Sequence, residues 1–250
     1  MTQASPLSPP NAVLQLRQQR LAVATRPFAA RGATVPRCPR CQIAIDSCCC
    51  AWARPQTSKI EFCLLMHPKE PLKPTNTGRI IAEIFPSSHA YCWHRTEPDP
   101  DFMALLSQPN YQPMVVFPGQ YSEPHRVQQQ IVPICGKTPL LILLDATWKQ
   151  ARKMFQSDAL AALPVLSITP EALSRYRLRS AAHEHQLATA EVAAQCLALA
   201  GETHNANVLD AFFQVFSQRY FAGKMKKKAP ESGEPFAFLE AQARPNPAPK

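Results

Sequence analysis

Glycine is scarce in this sequence, and long apolar runs are missing from it. Only 7 of the 250 residues are glycine, and the chain has no glycine-rich phosphate or dinucleotide fingerprint and no Gly-x-Ser-x-Gly elbow. No stretch approaches the ~20 consecutive apolar residues that a membrane-spanning helix needs, so we expect no membrane association. The N-terminus also lacks the apolar segment of a secretion signal, which favours a cytoplasmic protein.

Proline and basic residues are plentiful instead. The chain holds 26 prolines, many of them near its two ends, and its 46% hydrophobic content supports a folded core. The formal net charge of +9 favours an anionic partner, with nucleic acid ahead of a membrane surface, although charge for solubility alone remains the alternative. We divide the chain into a disordered N-terminus at 1–10, a helix and linker at 11–36, a main domain at 37–222 and a basic, proline-rich tail at 223–250.

Nine cysteines in a chain without an export signal indicate reduced thiols and a metal site rather than disulfides. Five of them cluster near the N-terminus in the pattern C-x2-C-x6-C-x-C, which suits a structural zinc knuckle. The predicted ligands are Cys38, Cys41, Cys48 and Cys50. Cys49 leaves an ambiguity, since it is able to replace either neighbour, and scattered buried thiols are the alternative to a metal site. The other four cysteines lie in apolar surroundings and are predicted core residues: Cys63, Cys92, Cys135 and Cys196.

Short apolar runs alternate with helical patterns along the main domain. Such runs, bounded by polar residues, are typical of strands buried on both faces of a sheet. We place strands at 62–66, 91–93, 114–117, 140–144 and 164–168, and helices at 11–25, 99–107, 187–200 and 207–221, with further helices opening near Asn76 and at Thr147. This alternation predicts an α/β fold with a mainly parallel sheet and flanking helices.

The most informative turn follows the run at 140–144. Asp145, Thr147 and Trp148 come at the carboxyl end of this predicted central strand, where open α/β sheets place their ligands. Thr147 is a good helix cap, and Gln150 three residues later completes a capping box. The turn favours an enzyme that acts on RNA, but a zinc-containing RNA-binding module without chemistry remains the alternative.

Three other segments carry polar candidates. Asn76 or Thr77 is a good cap for the next helix, and a simple cap is the favoured interpretation over an anion site. Thr189 is predicted to cap a later helix, with Glu191 in its first turn. If the segment around 176 is extended, one face of it gathers three arginines that suit an anion, although a solvated edge strand is the alternative: Arg175, Arg177 and Arg179.

Several of these motifs occur in one order that resembles the DTW-domain family, whose name is its D-x-T-W signature. In chain order they are the cysteine cluster 38–50, Glu70, Asn76-Thr77-Gly78-Arg79, Met114-Val115-Val116-Phe117-Pro118, Asp145-Ala146-Thr147-Trp148 with Ala151, Tyr176-Arg177-Leu178-Arg179 and Thr189-Ala190-Glu191. Together they span roughly residues 11–222 and are far more specific than any one of them.

The resemblance implies a tRNA-uridine aminocarboxypropyltransferase. Such an enzyme transfers the 3-amino-3-carboxypropyl group of S-adenosylmethionine to N3 of a tRNA uridine, in the bacterial branch at position 47 of the variable loop. It also implies a SPOUT-like fold with a possible C-terminal knot. A SPOUT-type methyltransferase that uses the same co-substrate is the alternative enzyme.

The resemblance and the pattern together give the expected site. Asp145, Thr147 and Trp148 form its predicted catalytic centre, with Asp145 either a base or an orienting group. The predicted S-adenosylmethionine contacts are Asn76, Thr77, Phe117, Pro118, Asp145, Thr147, Trp148, Tyr176, Thr189 and Glu191. The predicted tRNA contacts are Lys149, Arg152, Lys153, Arg175, Arg177 and Arg179. The residues leave the oligomeric state open, with a monomer slightly favoured.

Overall fold

The computed structural model describes residues 9–25, 34–168 and 188–242. Their centre is a sheet of six parallel strands in the order β2-β1-β5-β3-β6-β4. The strands are β1 (Glu61–Met66), β2 (His89–Cys92), β3 (Tyr111–Val116), β4 (Val127–Gln128), β5 (Thr138–Asp145) and β6 (Val165–Leu166). The prediction of a mainly parallel α/β fold is therefore confirmed, and β5 is central, between β1 and β3.

Helices cover both faces of this sheet. They are α1 (Ala12–Ala22), α2 (Gly78–Ile84), α3 (Pro100–Leu106), α4 (Trp148–Phe155), α5 (Asp158–Ala161), α6 (Thr189–Leu199), α7 (Thr203–Lys224) and α8 (Glu234–Ala241), together with short 3-10 turns at Ile45–Ser47, Cys50–Trp52, Gly119–Tyr121 and Pro124–Arg126. Among these described helices, none combines the length and the apolar character that crossing a membrane requires.

Two hydrophobic cores lie on opposite faces of the sheet. Because side chains alternate along a strand, Leu141 and Leu143 of β5 enter the first core while Leu140 and Ile142 enter the second. The first core also takes apolar residues from α1, α2, α6 and α7, and the second takes them from α3, α4 and α5. This two-sided burial explains why the strand is an unbroken apolar run.

Some expectations differ from the structure at particular places. The strand expected at 164–168 is limited to Val165–Leu166, and Cys135, a predicted core residue, is exposed in the loop before β5. Within the segment expected to be a tail, α8 buries Phe236 at 1% exposure, and this ring packs edge-on against Trp52 at 5.2 Å. Two apolar side chains among prolines and charges give a weak pattern, so only packing reveals this helix.

Candidate active site

The site lies where β5 ends. Asp145 is the last residue of β5 and pairs in register with Met66, the last residue of β1. Parallel strands bring their carboxyl ends to one edge of the sheet, so the loops that follow them meet there. Counting along β5 places the Asp145 side chain on the face of the first core, beneath the starts of α2 and α6. Asp145 as a whole is only 5% exposed.

Two side chains hold the Asp145 carboxylate. The Asn76 amide donates to Oδ2 at 2.8 Å, and the Thr189 hydroxyl donates to Oδ1 at 3.1 Å. Asn76 is itself 3% exposed and comes from the loop before α2, whereas Thr189 is the first residue of α6. Segments separated by more than 100 residues of sequence thus satisfy the two oxygens of one carboxylate.

Gly78 is required beside this carboxylate. A Cβ atom built on Gly78 would lie 2.3 Å from Asp145 Oδ2, which is far inside van der Waals contact. The Asn76 side chain binds α2 as well as Asp145, since its Oδ1 accepts from the Arg79 backbone N–H at 3.0 Å. Asn76 therefore supplies the side-chain cap of α2, as its residue type suggested, while Thr77 makes no such bond and instead accepts from the Ala190 N–H at 3.4 Å.

Burial raises the pKa of Asp145 from its ordinary value to about 6. Loss of water around the carboxylate is the largest cause, and the negative charge of Glu70 acts in the same direction. The hydrogen bonds from Asn76 and Thr189 lower the pKa and offset part of this rise. Glu70 is 7% exposed and paired with Lys73 at 2.5 Å. A carboxyl group with a pKa near 6 is a capable general base around neutral pH.

The backbone on the other side of Asp145 is organised by Gln150. Thr147 is the N-cap of α4, and its backbone N–H donates to Gln150 Oε1 at 3.1 Å, as the predicted capping box requires. The Thr147 hydroxyl reaches the same oxygen at 2.6 Å. Gln150 Nε2 lies 3.1 Å from His67 Nε2, and the His67 backbone N–H donates to the Asp145 carbonyl at 3.0 Å. His67, to which the sequence assigned no role, thus borders the site.

Trp148 begins an aromatic stack at the surface. Its ring lies parallel to Phe117 at 5.4 Å, and Phe117 lies parallel to Phe155 at 4.3 Å. Phe117 is buried at 5% exposure within this stack, while Trp148 remains 40% exposed. Tyr121 meets Trp148 edge-on at 5.6 Å, and the Arg152 guanidinium lies 5.0 Å from the Tyr121 ring centre. No sequence pattern indicated Tyr121, since it comes from a loop after β3 and contacts α4 only in three dimensions.

The N-terminal cysteines form a compact group. Cys38 Sγ lies 3.7 Å from Cys50 Sγ, and Cys41 Sγ lies 3.8 Å from Cys48 Sγ. All four sulfurs lie within 4.8 Å of one another. Zn–S bonds of about 2.3 Å in a tetrahedron separate the sulfurs by about 3.8 Å, so the arrangement fits zinc. Cys49 is outside this group and fully buried in the first core.

A buried arginine lies between the cysteine group and the Asp145 site. Arg79 is 2% exposed, and its Nη2 donates to the Pro74 carbonyl at 2.8 Å. Its Nε and Nη1 have no hydrogen-bond partner among the described residues, and a small cavity there is lined by Arg79, Cys41 and Cys49. Since the Arg79 backbone N–H is bound by Asn76, Arg79 links the cysteine group to the residues that hold Asp145.

The remaining predicted residues lie in several places. Lys149, Arg152 and Lys153 are exposed on α4, and Pro118 precedes the 3-10 turn at Gly119–Tyr121. Thr189 is not the cap of α6: Ala188 occupies that position, which leaves the Thr189 hydroxyl for Asp145. Glu191 accepts from the Ala188 N–H at 2.7 Å. Four predicted residues lie outside the described residues: Arg175, Tyr176, Arg177 and Arg179.

Comparison with known proteins identifies the family. The DTW domain matches residues 35–221. A tRNA-uridine aminocarboxypropyltransferase 2 of Drosophila melanogaster is 26% identical over 180 residues, which cover 65% of this chain and 66% of that protein. The protein of the same name from Mus musculus is 24% identical over 169 residues, which cover 66% of this chain and 56% of that protein.

The match to these relatives is partial. The chain spans about two thirds of the length of the fly protein and just over half of the mouse protein. No solved structure matches the chain. The DTW domain nevertheless covers most of the sequence, including the Asp145 turn, the Asn76 loop and the cysteine group. The family predicted from the motifs is thereby confirmed, and this chain belongs to the DTW-domain family.

Proposed function

We propose that this chain is a tRNA-uridine aminocarboxypropyltransferase that uses S-adenosylmethionine. Its target is N3 of a tRNA uridine, specifically the variable-loop uridine at position 47. The observation that carries the proposal is Asp145: a buried carboxylate held by Asn76 and Thr189, with a pKa near 6, inside the motif that names the family. The shared activity in the names of both similar proteins supports it.

The chemistry requires a base and precise positioning. Uridine N3 carries a proton and becomes a nucleophile only when that proton is lost. In the proposed step Asp145 accepts the N3 proton, a bond forms from N3 to the γ-carbon of the amino acid chain, and the bond from that carbon to sulfur breaks. The sulfur takes the electron pair, and methylthioadenosine leaves. S-adenosylmethionine supplies the sulfonium that activates the carbon, and the protein decides which carbon faces N3.

Asp145 suits the role of base because its environment sets its proton affinity. At neutral pH a carboxyl group with a pKa of about 6 is mostly ionised, and it is a much stronger base than an exposed aspartate. The hydrogen bonds from Asn76 and Thr189 fix the carboxylate. The competing role for Asp145 is to orient the uracil or the amino group of the co-substrate, and the Asp145→Asn variant separates the two.

Residues around Asp145 are proposed to hold S-adenosylmethionine. The outer side of Trp148 offers an exposed aromatic surface for an apolar or aromatic part of the ligand, and Phe117 supports it from behind. Thr147, which is exposed, and Thr77, which is half-buried, supply hydroxyl groups near the same turn. The other proposed contacts are Asn76, Pro118, Tyr176, Thr189 and Glu191.

The tRNA is proposed to approach the exposed side of α4. Lys149, Arg152 and Lys153 share this helix with Trp148, so cations for phosphates lie beside an aromatic ring for a base. Arg175, Arg177 and Arg179 are proposed to extend this surface. Replacing these cations should weaken tRNA binding and flatten its dependence on salt, whereas an unchanged salt slope would refute the assignment.

Zinc is proposed to have a structural role at Cys38, Cys41, Cys48 and Cys50. The segment that carries these thiols is anchored to α7, because Arg219 donates to the Ser47 carbonyl at 3.1 Å and lies over Trp52 at 4.6 Å. A metal ion would hold this segment against the first core.

A SPOUT-like knotted fold, a cytoplasmic location and a monomeric state also remain predictions. The connection 169–187 between β6 and α6 lies outside the described residues.

One incubation tests the proposed function. Purified protein, unmodified tRNA and S-adenosylmethionine are combined, and the modified nucleoside and the by-product are identified by mass spectrometry. Aminocarboxypropyluridine together with methylthioadenosine is the expected result. S-adenosylhomocysteine would indicate a methyltransferase instead, and the absence of both products would indicate an RNA-binding protein. The Asp145→Asn variant should bind S-adenosylmethionine normally but form no product; near-normal turnover would exclude Asp145 as the base.

A further inference from the structure

A large cavity opens at the carboxyl ends of β1 and β2. It has a volume of about 700 Å³, within the usual range of ligand sites, and it lies between α3 and α4. Leu65 and Phe102 form part of its floor, and both belong to the second core. The Asp145 side chain points to the first core, so this cavity and the Asp145 carboxylate lie on opposite sides of the sheet end.

The inner part of the cavity is aromatic. Trp93 lines the wall directly after β2 and is half-buried, and Phe102 of α3 lines the same space. The Trp93 indole nitrogen is enclosed by protein atoms, so this wall offers the ring to a ligand and not the N–H. A flat, unsaturated ring would find aromatic and apolar contact here.

The outer part of the cavity carries charged side chains of both signs. Arg95 follows β2 and Lys153 lies on α4, each of them exposed, and His67 and His94 add imidazoles. Of the two acidic residues, Asp99 is engaged as the cap of α3, where it accepts from the Asp101 and Phe102 N–H groups at 3.0 and 3.3 Å. Asp158 is the second carboxylate of the lining. A phosphate would be bound by Arg95 and Lys153, whose positive charges are permanent.

The cavity adjoins the proposed active site without belonging to it. Gln150 and His67 line the cavity, and they also contact the Thr147–Asp145 turn, through the Thr147 N–H and the Asp145 carbonyl. None of the residues proposed to hold S-adenosylmethionine lines it. A site beside the reaction centre that the co-substrate residues leave free is suited to the other substrate.

We propose that this cavity binds one unstacked nucleotide of the tRNA, adjacent to the uridine that is modified. Its base lies on the apolar floor against the Trp93 ring, and its phosphate is bound by Arg95 and Lys153. Single-stranded nucleic acid is recognised in this way, by aromatic contact to a splayed base and by cations along the backbone. The inference rests on the proposed function, since it assumes that tRNA is the substrate.

Two variants test the cavity. Trp93→Leu removes the aromatic ring but keeps an apolar side chain, and Arg95→Gln removes one exposed cation. Equilibrium binding of unmodified tRNA should weaken roughly five- to tenfold in each variant, the cost expected for one lost aromatic contact to a base or one lost phosphate contact. The affinity for S-adenosylmethionine should stay unchanged. Lys137→Gln, an exposed cation outside the cavity, is the control and should leave the affinity for tRNA near that of the parent protein.

Crosslinking locates the bound nucleotide directly. Unmodified tRNA with 4-thiouridine on either side of the target uridine is irradiated with the full-length protein, and the crosslinked peptide is sequenced. A crosslink within 93–95 together with weaker tRNA binding supports the proposal. Crosslinks confined to other segments, or tRNA affinity unchanged in both variants, would overturn it. A loss of S-adenosylmethionine affinity alone would show that the cavity holds the co-substrate. Binding and crosslinking do not depend on turnover. A parent protein that forms no product would therefore count against the proposed function and not against this cavity.

Discussion

Replacing Asp145 by asparagine should stabilise the protein while it abolishes transfer. Asparagine has the shape of the protonated aspartic acid and keeps both hydrogen bonds. Its side-chain oxygen accepts from the Asn76 amide, and its NH2 group donates to the Thr189 hydroxyl oxygen. What it removes is the buried negative charge. Burial raises the pKa of Asp145 from an ordinary 3.8 to about 6, so the parent protein loses stability whenever this group ionises.

The size and sign of the effect follow from proton linkage. The folded state holds the Asp145 proton more tightly than the unfolded state, so the stability of the parent protein falls as pH rises from about 4 to about 6 and is then flat. A rise in pKa of roughly 2 units corresponds to about 3 kcal/mol in the free energy of unfolding. Asp145→Asn escapes this loss, so it should exceed the parent by about 3 kcal/mol at pH 8 and by almost nothing at pH 4.

The assay is denaturation of both proteins at a series of pH values. At pH 8 the midpoint of thermal unfolding should rise by roughly 6–12 °C, given the size of the chain. Glu97→Gln, which makes the same chemical change at an exposed position, is the control and should shift the free energy by no more than about 0.5 kcal/mol. If Asp145→Asn is no more stable than the parent at pH 8, or if the difference does not grow with pH, the raised pKa is refuted.

Three further predictions concern neighbours of this carboxylate and the cysteine group. Glu70→Gln removes a negative charge that raises the pKa of Asp145. The fall of kcat/KM on the acid side of the pH–rate profile should therefore move to a pH below its parent position near 6. An unchanged position of this fall would argue against Asp145 as the base. Gly78→Ala places a Cβ 2.3 Å from the Asp145 carboxylate, so it should lower both the stability and the transfer activity. In an Asp145→Ala background the same substitution should cost less stability, as measured by urea denaturation. Equal costs in the two backgrounds would contradict the steric explanation. Cys49→Ala should retain one equivalent of zinc by elemental analysis whereas Cys48→Ala should lose most of it, because only Cys48 belongs to the four-sulfur group; the reverse order of metal content would show that the ligand set is different.

The sequence by itself determined the fold class, the family and the position of the Asp145 turn. These rest on local patterns: an unbroken apolar run is required of a strand buried on both faces, and a D-x-T-W motif with its companions is read in order along the chain. The cysteine spacing also predicted the four sulfurs that lie together, although Cys48, Cys49 and Cys50 were equivalent by pattern. Only the fold separates them, by burying Cys49 in the core and turning its neighbours toward Cys38 and Cys41.

Tertiary structure alone decided what each polar side chain of the site does. Thr189 had the pattern of a helix cap, yet it binds Asp145 because the sheet brings the start of α6 to the end of β5. Other features likewise join segments that are distant along the chain: Asn76 and Gly78 beside the same carboxylate, the edge-on contact of Tyr121 with Trp148, and the cavity lined by Trp93. The pKa of Asp145 depends on burial and on the charge of Glu70 in space, and no local pattern records either quantity.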